Sequence, residues 1–65
     1  MATLSPIDLQ KALKGMDYPA KRDDLVRRAE DNGADGDVVD ALRQIPDREY
    51  EGPSGVSAEV FGGKG

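Results

Sequence analysis

The chain has no cysteine, no histidine and no tryptophan, and its aromatic residues are two tyrosines and one phenylalanine. Without thiols there is no disulfide, no thiolate nucleophile and no cysteine metal site. Without imidazole the usual general base and the commonest metal ligand are missing. The absence of cysteine fits a cytoplasmic protein. No apolar run approaches the roughly 20 residues that span a bilayer, and the N-terminus lacks the apolar stretch of a secretory signal. Ser5, Ser54 and Ser57 have no histidine or evident base to activate them, and the spacing forces no acid pair into a cleft. The expectation is a protein that is not an enzyme and uses no cofactor and no metal. Its 65 residues hold one domain at most. A chain this short buries only about 60% of the surface its unfolded form exposes. Packing and capping must therefore hold it, helped by any self-association. So small a core also leaves little room for a ligand pocket of roughly 300 Å³ or more.

What is present is charge, unevenly spread. The net charge is -4, but residues 1–28 hold six Lys and Arg against four Asp, a balance of +2. Residues 29–65 hold three basic residues against nine acids, a balance of -6. An acidic whole repels nucleic acid at long range, yet a local basic face can still bind it.

The opening LSPIDL is a helix start. Ser5 takes the N-cap, Pro6 the first helical position, and Asp8 the third position of a capping box, with Leu4 and Leu9 as the hydrophobic staple. Leu9, Leu13 and Met16 recur at helical spacing beside Ala12, and Gly15 stops the helix. Pro19 pushes Tyr18 out of helix, so residues 16–20 run extended, with the Tyr18 ring inward and its hydroxyl near water. A second helix runs from about Arg22 to Asn32. Asp23 and Asp24 suit its positive end, Leu25, Val26 and Ala29 form its buried stripe, and Asn32-Gly33 closes it. GADGDVVDALRQIP reads as a third helix capped by Asp35, with Ala34 and Val39 as staple. Val38, Val39, Leu42 and Ile45 face inward, and Pro46 ends it. DREYE is too charged for a central strand and reads as an extended connector with Tyr50 tucked against the helices. GPSGVSAEVF begins a weak fourth helix with Gly52 as cap and Pro53 first, Val56 and Val60 sharing a face, and Gly55 lowering its propensity by about 1 kcal/mol relative to Ala. The fold class is therefore all-α: a compact bundle of three helices plus a short C-terminal fourth helix. It spans residues 1–61, with 62–65 as a flexible tail. The core comprises Leu9, Leu13, Leu25, Val26, Ala29, Val39, Leu42 and Ile45.

Three binding motifs merit comparison with these residues. In DNGADGDVVDAL an EF-hand register puts Asp31 and Asp35 on ligand positions. It also puts Gly33 where an oxygen belongs and Leu42 where a bidentate Glu is required, so calcium is disfavoured. Ala29, Gly33, Ala34, Val39 and Leu42 reproduce helix-turn-helix spacing. The would-be recognition helix, however, offers Asp35, Asp37 and Asp40 to a phosphate-lined groove. LQKALKGMDYPAKRDDLVRRA resembles the helix-extended-helix pattern of SAP and LEM domains. In that reading Lys11, Lys14, Lys21, Arg27 and Arg28 contact phosphates, with Asp17, Asp23 and Asp24 lying among them.

DLQKALKG-x-DYPA, LVRRAEDNGAD, VVDALRQIPDREY and GPSGVSAEV together resemble a bacterial family, the domain of unknown function twenty-seven ninety-five, over roughly residues 7–60. The resemblance implies a small soluble helical domain and carries no catalytic residue across. Two positions depart from it. Lys21 stands where members usually place Ser or Thr, which leaves the second helix without a side-chain cap at a cost of about 1 kcal/mol. Gly55 stands where an acid is usual, which weakens the fourth helix.

The expected function is that of a protein-interaction module. Its surface would comprise Arg48, Tyr50 and the acidic side of helix three, Asp37 and Asp40, because exposed Tyr and Arg are favoured at interfaces. The alternative is nucleic-acid binding through the basic end of helices one and two. A third possibility is a homodimer that buries leftover apolar surface such as Phe61.

Overall fold

A computed structural model describes residues 4–62. In chain order its elements are α1 Pro6–Ala12, β1 Ala20–Lys21, α2 Arg22–Asp31, α3 Gly36–Gln44, β2 Glu49–Tyr50 and α4 Pro53–Phe61. Gly62 is the C-cap of α4, and residues 63–65 of the expected tail lie outside the described residues.

The helices begin and end where local chemistry directs them. At α1 the Ser5 Oγ accepts the Asp8 N–H at 3.2 Å with Pro6 in the first turn, and Leu4 packs against the core. Gly15 and Gly33 follow α1 and α2 with φ of 83° and 75°, the left-handed conformation that lets the chain turn away from a helix end. Lys21 is the N-cap of α2. Its side chain has no acceptor, so only the reciprocal half of a capping box forms, the Lys21 N–H donating to Asp24 Oδ2 at 3.3 Å. Asp35 holds the N-cap position of α3 without a side-chain cap bond. Its backbone oxygen instead accepts from the Val38 and Val39 amides at 3.0 and 3.1 Å. The expected Asp35 cap is thus correct in place and wrong in means. Ile45, at ψ 159°, ends α3 because the ring of Pro46 disfavours helix in the residue before it.

The core contains Leu9, Leu13, Leu25, Ala29, Val39, Leu42 and Ile45 as expected, while Val26 is only partly buried. Ala12, Ala20, Val38, Tyr50 and Val56 complete it, and Leu25, Leu42 and Val56 are fully enclosed. Each such aliphatic side chain contributes roughly 1.5–3 kcal/mol by leaving water. The α2–α3 pair makes the most extensive contact between elements, and α1 and α4 pack beside it.

The all-α expectation holds for the four helices and misses one feature. β1 and β2 form an antiparallel ladder of two residues each, pairing Ala20 with Tyr50 and Lys21 with Glu49. It ties the corner after α1 to the connector before α4. Segments of two residues show no alternation in a sequence, so DREYE can be read as extended but not as paired. The Tyr18 hydroxyl also differs from expectation. It is buried without a hydrogen-bond partner rather than kept near water, and burial raises its pKa above the usual 10.0.

Candidate interaction surface

The sequence predicts a protein-binding face of four residues, and the structure divides them. Tyr50 is 2% exposed. Its hydroxyl donates to the Pro46 carbonyl at 2.7 Å, and the Arg48 guanidinium lies 5.2 Å from its ring centroid. Arg48 in turn pairs with Glu59 on α4. Burial raises the Tyr50 pKa, and the Arg48 charge works against that rise. Tyr50 is therefore a core residue and not an exposed anchor, and Arg48 uses its charge to fasten α4. The reason is the ladder, which turns the Tyr50 side chain inward. Asp37 and Asp40 remain exposed, one turn apart on α3.

The five expected phosphate contacts divide differently. Arg22, Arg43 and Arg48 all pair with acids of this chain, Arg22 with Asp23 and Asp47, Arg43 with Glu30, and Arg48 with Glu59. Among the described residues none of Lys11, Lys14, Lys21, Arg27 or Arg28 makes an ion pair. Four of the five belong to one end of the molecule. The Asn32 side-chain amide, at the end of α2, donates to the carbonyls of Ala12, Lys14 and Lys11 at 2.8, 3.0 and 3.4 Å, binding the two helix ends together. A β-carbon built on Gly15 would lie 3.7 Å from Arg28 Nη1, and Arg27 and Arg28 line one shallow concavity with Met16, Asp24 and Asp31. Lys21 is apart from these, at the start of α2 opposite Glu49.

The feature that the sequence did not disclose is a groove between α1 and α4. It encloses about 310 Å³ and is lined by Pro6, Leu9, Gln10 and Leu13 on one side and Pro53, Ser54 and Ser57 on the other. Each helix has proline in its first turn, so both groove walls start with a residue that has no backbone N–H to satisfy. Leu9 and Leu13 supply apolar floor, while Gln10 and the two serines supply polar edges. Beside it stands Ile7, 61% exposed and about 60° around α1 from Gln10. Phe61, 40% exposed, lies at the far end of α4. The pairing of Ile7 with two proline-initiated helices was the available signal. It had no meaning until α4 was known to lie against α1.

Residues 4–57 match the model of a family described as a protein of unknown function, DUF2795. The chain belongs to DUF2795. Comparisons with curated proteins and with solved structures gave no match. All the groove-lining residues, from Pro6 to Ser57, fall within the span that defines this DUF2795 domain, whereas Glu59 and Phe61 fall beyond it. Among the described residues of the domain, no group of three or more acidic side chains is placed to hold a metal ion, and no helix is long and apolar enough to cross a membrane.

Proposed function

We propose that this DUF2795 domain is a cytoplasmic, non-enzymatic module that binds another protein through the groove between α1 and α4. The observation that carries the reading is a groove with an apolar floor, bordered by an isoleucine left 61% exposed on a chain that is short of apolar residues to bury. An aliphatic side chain at that exposure adds nothing to the fold, and a partner that covers it gains roughly 25 cal/mol per Å² of apolar surface removed from water. The molecule is thin, 17 Å between Cα extremes along its shortest axis, or about two layers of helix. It therefore presents surfaces more readily than it encloses a substrate. Photo-crosslinking from a benzoylphenylalanine at Gln10, in the producing cell, tests this. A discrete protein adduct is expected that disappears in Ile7→Asp and does not form from the same probe at Asp40. Equal adducts from both positions, or none from Gln10, would overturn the reading.

Nucleic-acid binding is the second reading. It is supported by the gathering of Lys11, Lys14, Arg27 and Arg28 at one end without ion pairs among the described residues. Neutralising any one of them should then reduce the salt slope of binding by roughly 0.9. An amide NMR titration with a short duplex DNA, at low and at physiological salt, would move those four residues and weaken steeply with salt if this reading is correct.

A further inference from the structure

We infer that the occupant of the α1–α4 groove is an amphipathic helical segment of a partner protein whose apolar stripe is bordered by carboxylates, an inference that rests on the protein-binding reading above. The groove's own lining accounts for the apolar stripe, since Leu9 and Leu13 form a floor and Pro6 and Pro53 close one end. An amphipathic helix presenting residues at i, i+3, i+4 and i+7 is the commonest segment to lie in such a cleft.

The charge of the occupant follows from the lysines of α1. Ile7 and Lys11 are one turn apart on the exposed side of this helix. Lys14 follows in the turn after it, its amide donating to the Lys11 carbonyl at 3.3 Å, next to groove-lining Leu13. An isoleucine and two lysines thus border the groove along α1. The chain carries 13 acids against nine bases, yet neither lysine finds an acid within ion-pair distance among the described residues. The arginines of α2, α3 and the connector, by contrast, are all paired where they meet acids of neighbouring elements: Arg22 with Asp47, Arg43 with Glu30, and Arg48 with Glu59. Cations left unneutralised along an apolar groove complement carboxylates on a segment bound there, and repel a basic one. On the opposite wall the first turn of α4 has no acidic residue and no side-chain cap, so that wall adds no negative charge of its own in that turn. Glu59, farther along the helix, is already held by Arg48.

The test is an amide NMR titration of the whole chain with three probes. The first is a synthetic 18-residue helical peptide with a leucine face and glutamate borders. The second is the same peptide with lysine in place of glutamate, and the third a short duplex DNA. The acidic peptide should move the amides of Leu9, Gln10, Leu13, Ser54 and Ser57 together with Lys14, and bind at least tenfold more tightly than the basic one. Lys11→Gln with Lys14→Gln should weaken it about fivefold at low salt with the helical circular dichroism unchanged, and Ile7→Ser should weaken both peptides alike. If the basic peptide binds the groove as tightly, the acidic partner is wrong while the groove remains a protein site. If neither peptide moves the groove at millimolar concentration, both readings are overturned together. Shifts confined to Lys11, Lys14, Arg27 and Arg28, and produced by DNA alone, would give the site to nucleic acid. Groove shifts that grow with the concentration of the chain alone would give it to a second copy.

Discussion

A single asparagine shows how much one side chain can organise here. A helix leaves its last four carbonyls without partners, and a seven-residue helix such as α1 has little else to offer. Asn32 reaches across from the end of α2 and satisfies that end of α1 through its side-chain amide, at 2.8 Å to Ala12 and 3.0 Å to Lys14. From the sequence, Asn32-Gly33 was legible as a helix stop and Gly33 indeed has a positive φ. What the asparagine side chain would touch was not legible, because its partners lie 18 to 21 residues earlier. Asn32→Ala should lower stability by about 1–2 kcal/mol. In a domain this small that is a fall in melting temperature of at least about 4 °C, read by circular dichroism. Asn32→Asp should cost more, because it points a carboxylate at carbonyl oxygens. An unchanged melting temperature in both variants would mean that water serves these carbonyls equally well.

Among the elements, α2 and α4 are the two whose sequences fall short of their structures. α2 starts at Lys21, which has the extended backbone of an N-cap, φ -97° and ψ 167°, and no side-chain acceptor. The acid that would complete the box, Asp24, is already in place on the Lys21 N–H. Lys21→Ser should therefore raise stability by about 1 kcal/mol, or about 4–8 °C in melting temperature. No rise would show that the ladder contact between Lys21 and Glu49 matters more than the cap. α4 contains Gly55, whose missing β-carbon would meet only the Tyr50 ring, at an ordinary 3.7 Å. Packing does not require glycine there. The helix forms nonetheless because Val56 is fully buried and Glu59 is held by Arg48, so tertiary contact overrides weak propensity.

For the molecule as a whole, stability is linked to pH through its two tyrosines. Burial raises the pKa of both Tyr18 and Tyr50, so the folded chain holds these phenolic protons more tightly than the unfolded chain does. Their contribution is fully present below the ordinary value of 10.0 and is lost as pH rises from there through the raised folded values. Melting temperature should therefore fall above about pH 10, more steeply in the wild type than in Tyr18→Phe. At neutral pH the same variant should lose nothing and gain up to about 1 kcal/mol, because the hydroxyl it removes is buried without a partner. Thermal melts of both proteins across pH 7 to 11 would settle the matter. Parallel curves would indicate that the Tyr18 hydroxyl is solvated in the folded state.

The sequence by itself determined the helices and most of the core. Helix periodicity, proline at a first turn and glycine at a left-handed position are local rules, satisfied or broken within a few residues. Ser5-Pro6, Gly33, Ile45-Pro46 and Gly52-Pro53 therefore all act where they were read. The family was legible for a related reason, since the spaced YP, NGAD and IPDREY segments keep their order along the chain. The tertiary structure alone decided which surface is available. Tyr50 reads in the sequence as an exposed anchor, and its pairing with Ala20 makes it core. The α1–α4 groove exists only because residues 40 or more positions apart lie side by side. Packing between distant segments depends on how each helix is rotated and crossed against the next, and no local pattern encodes that.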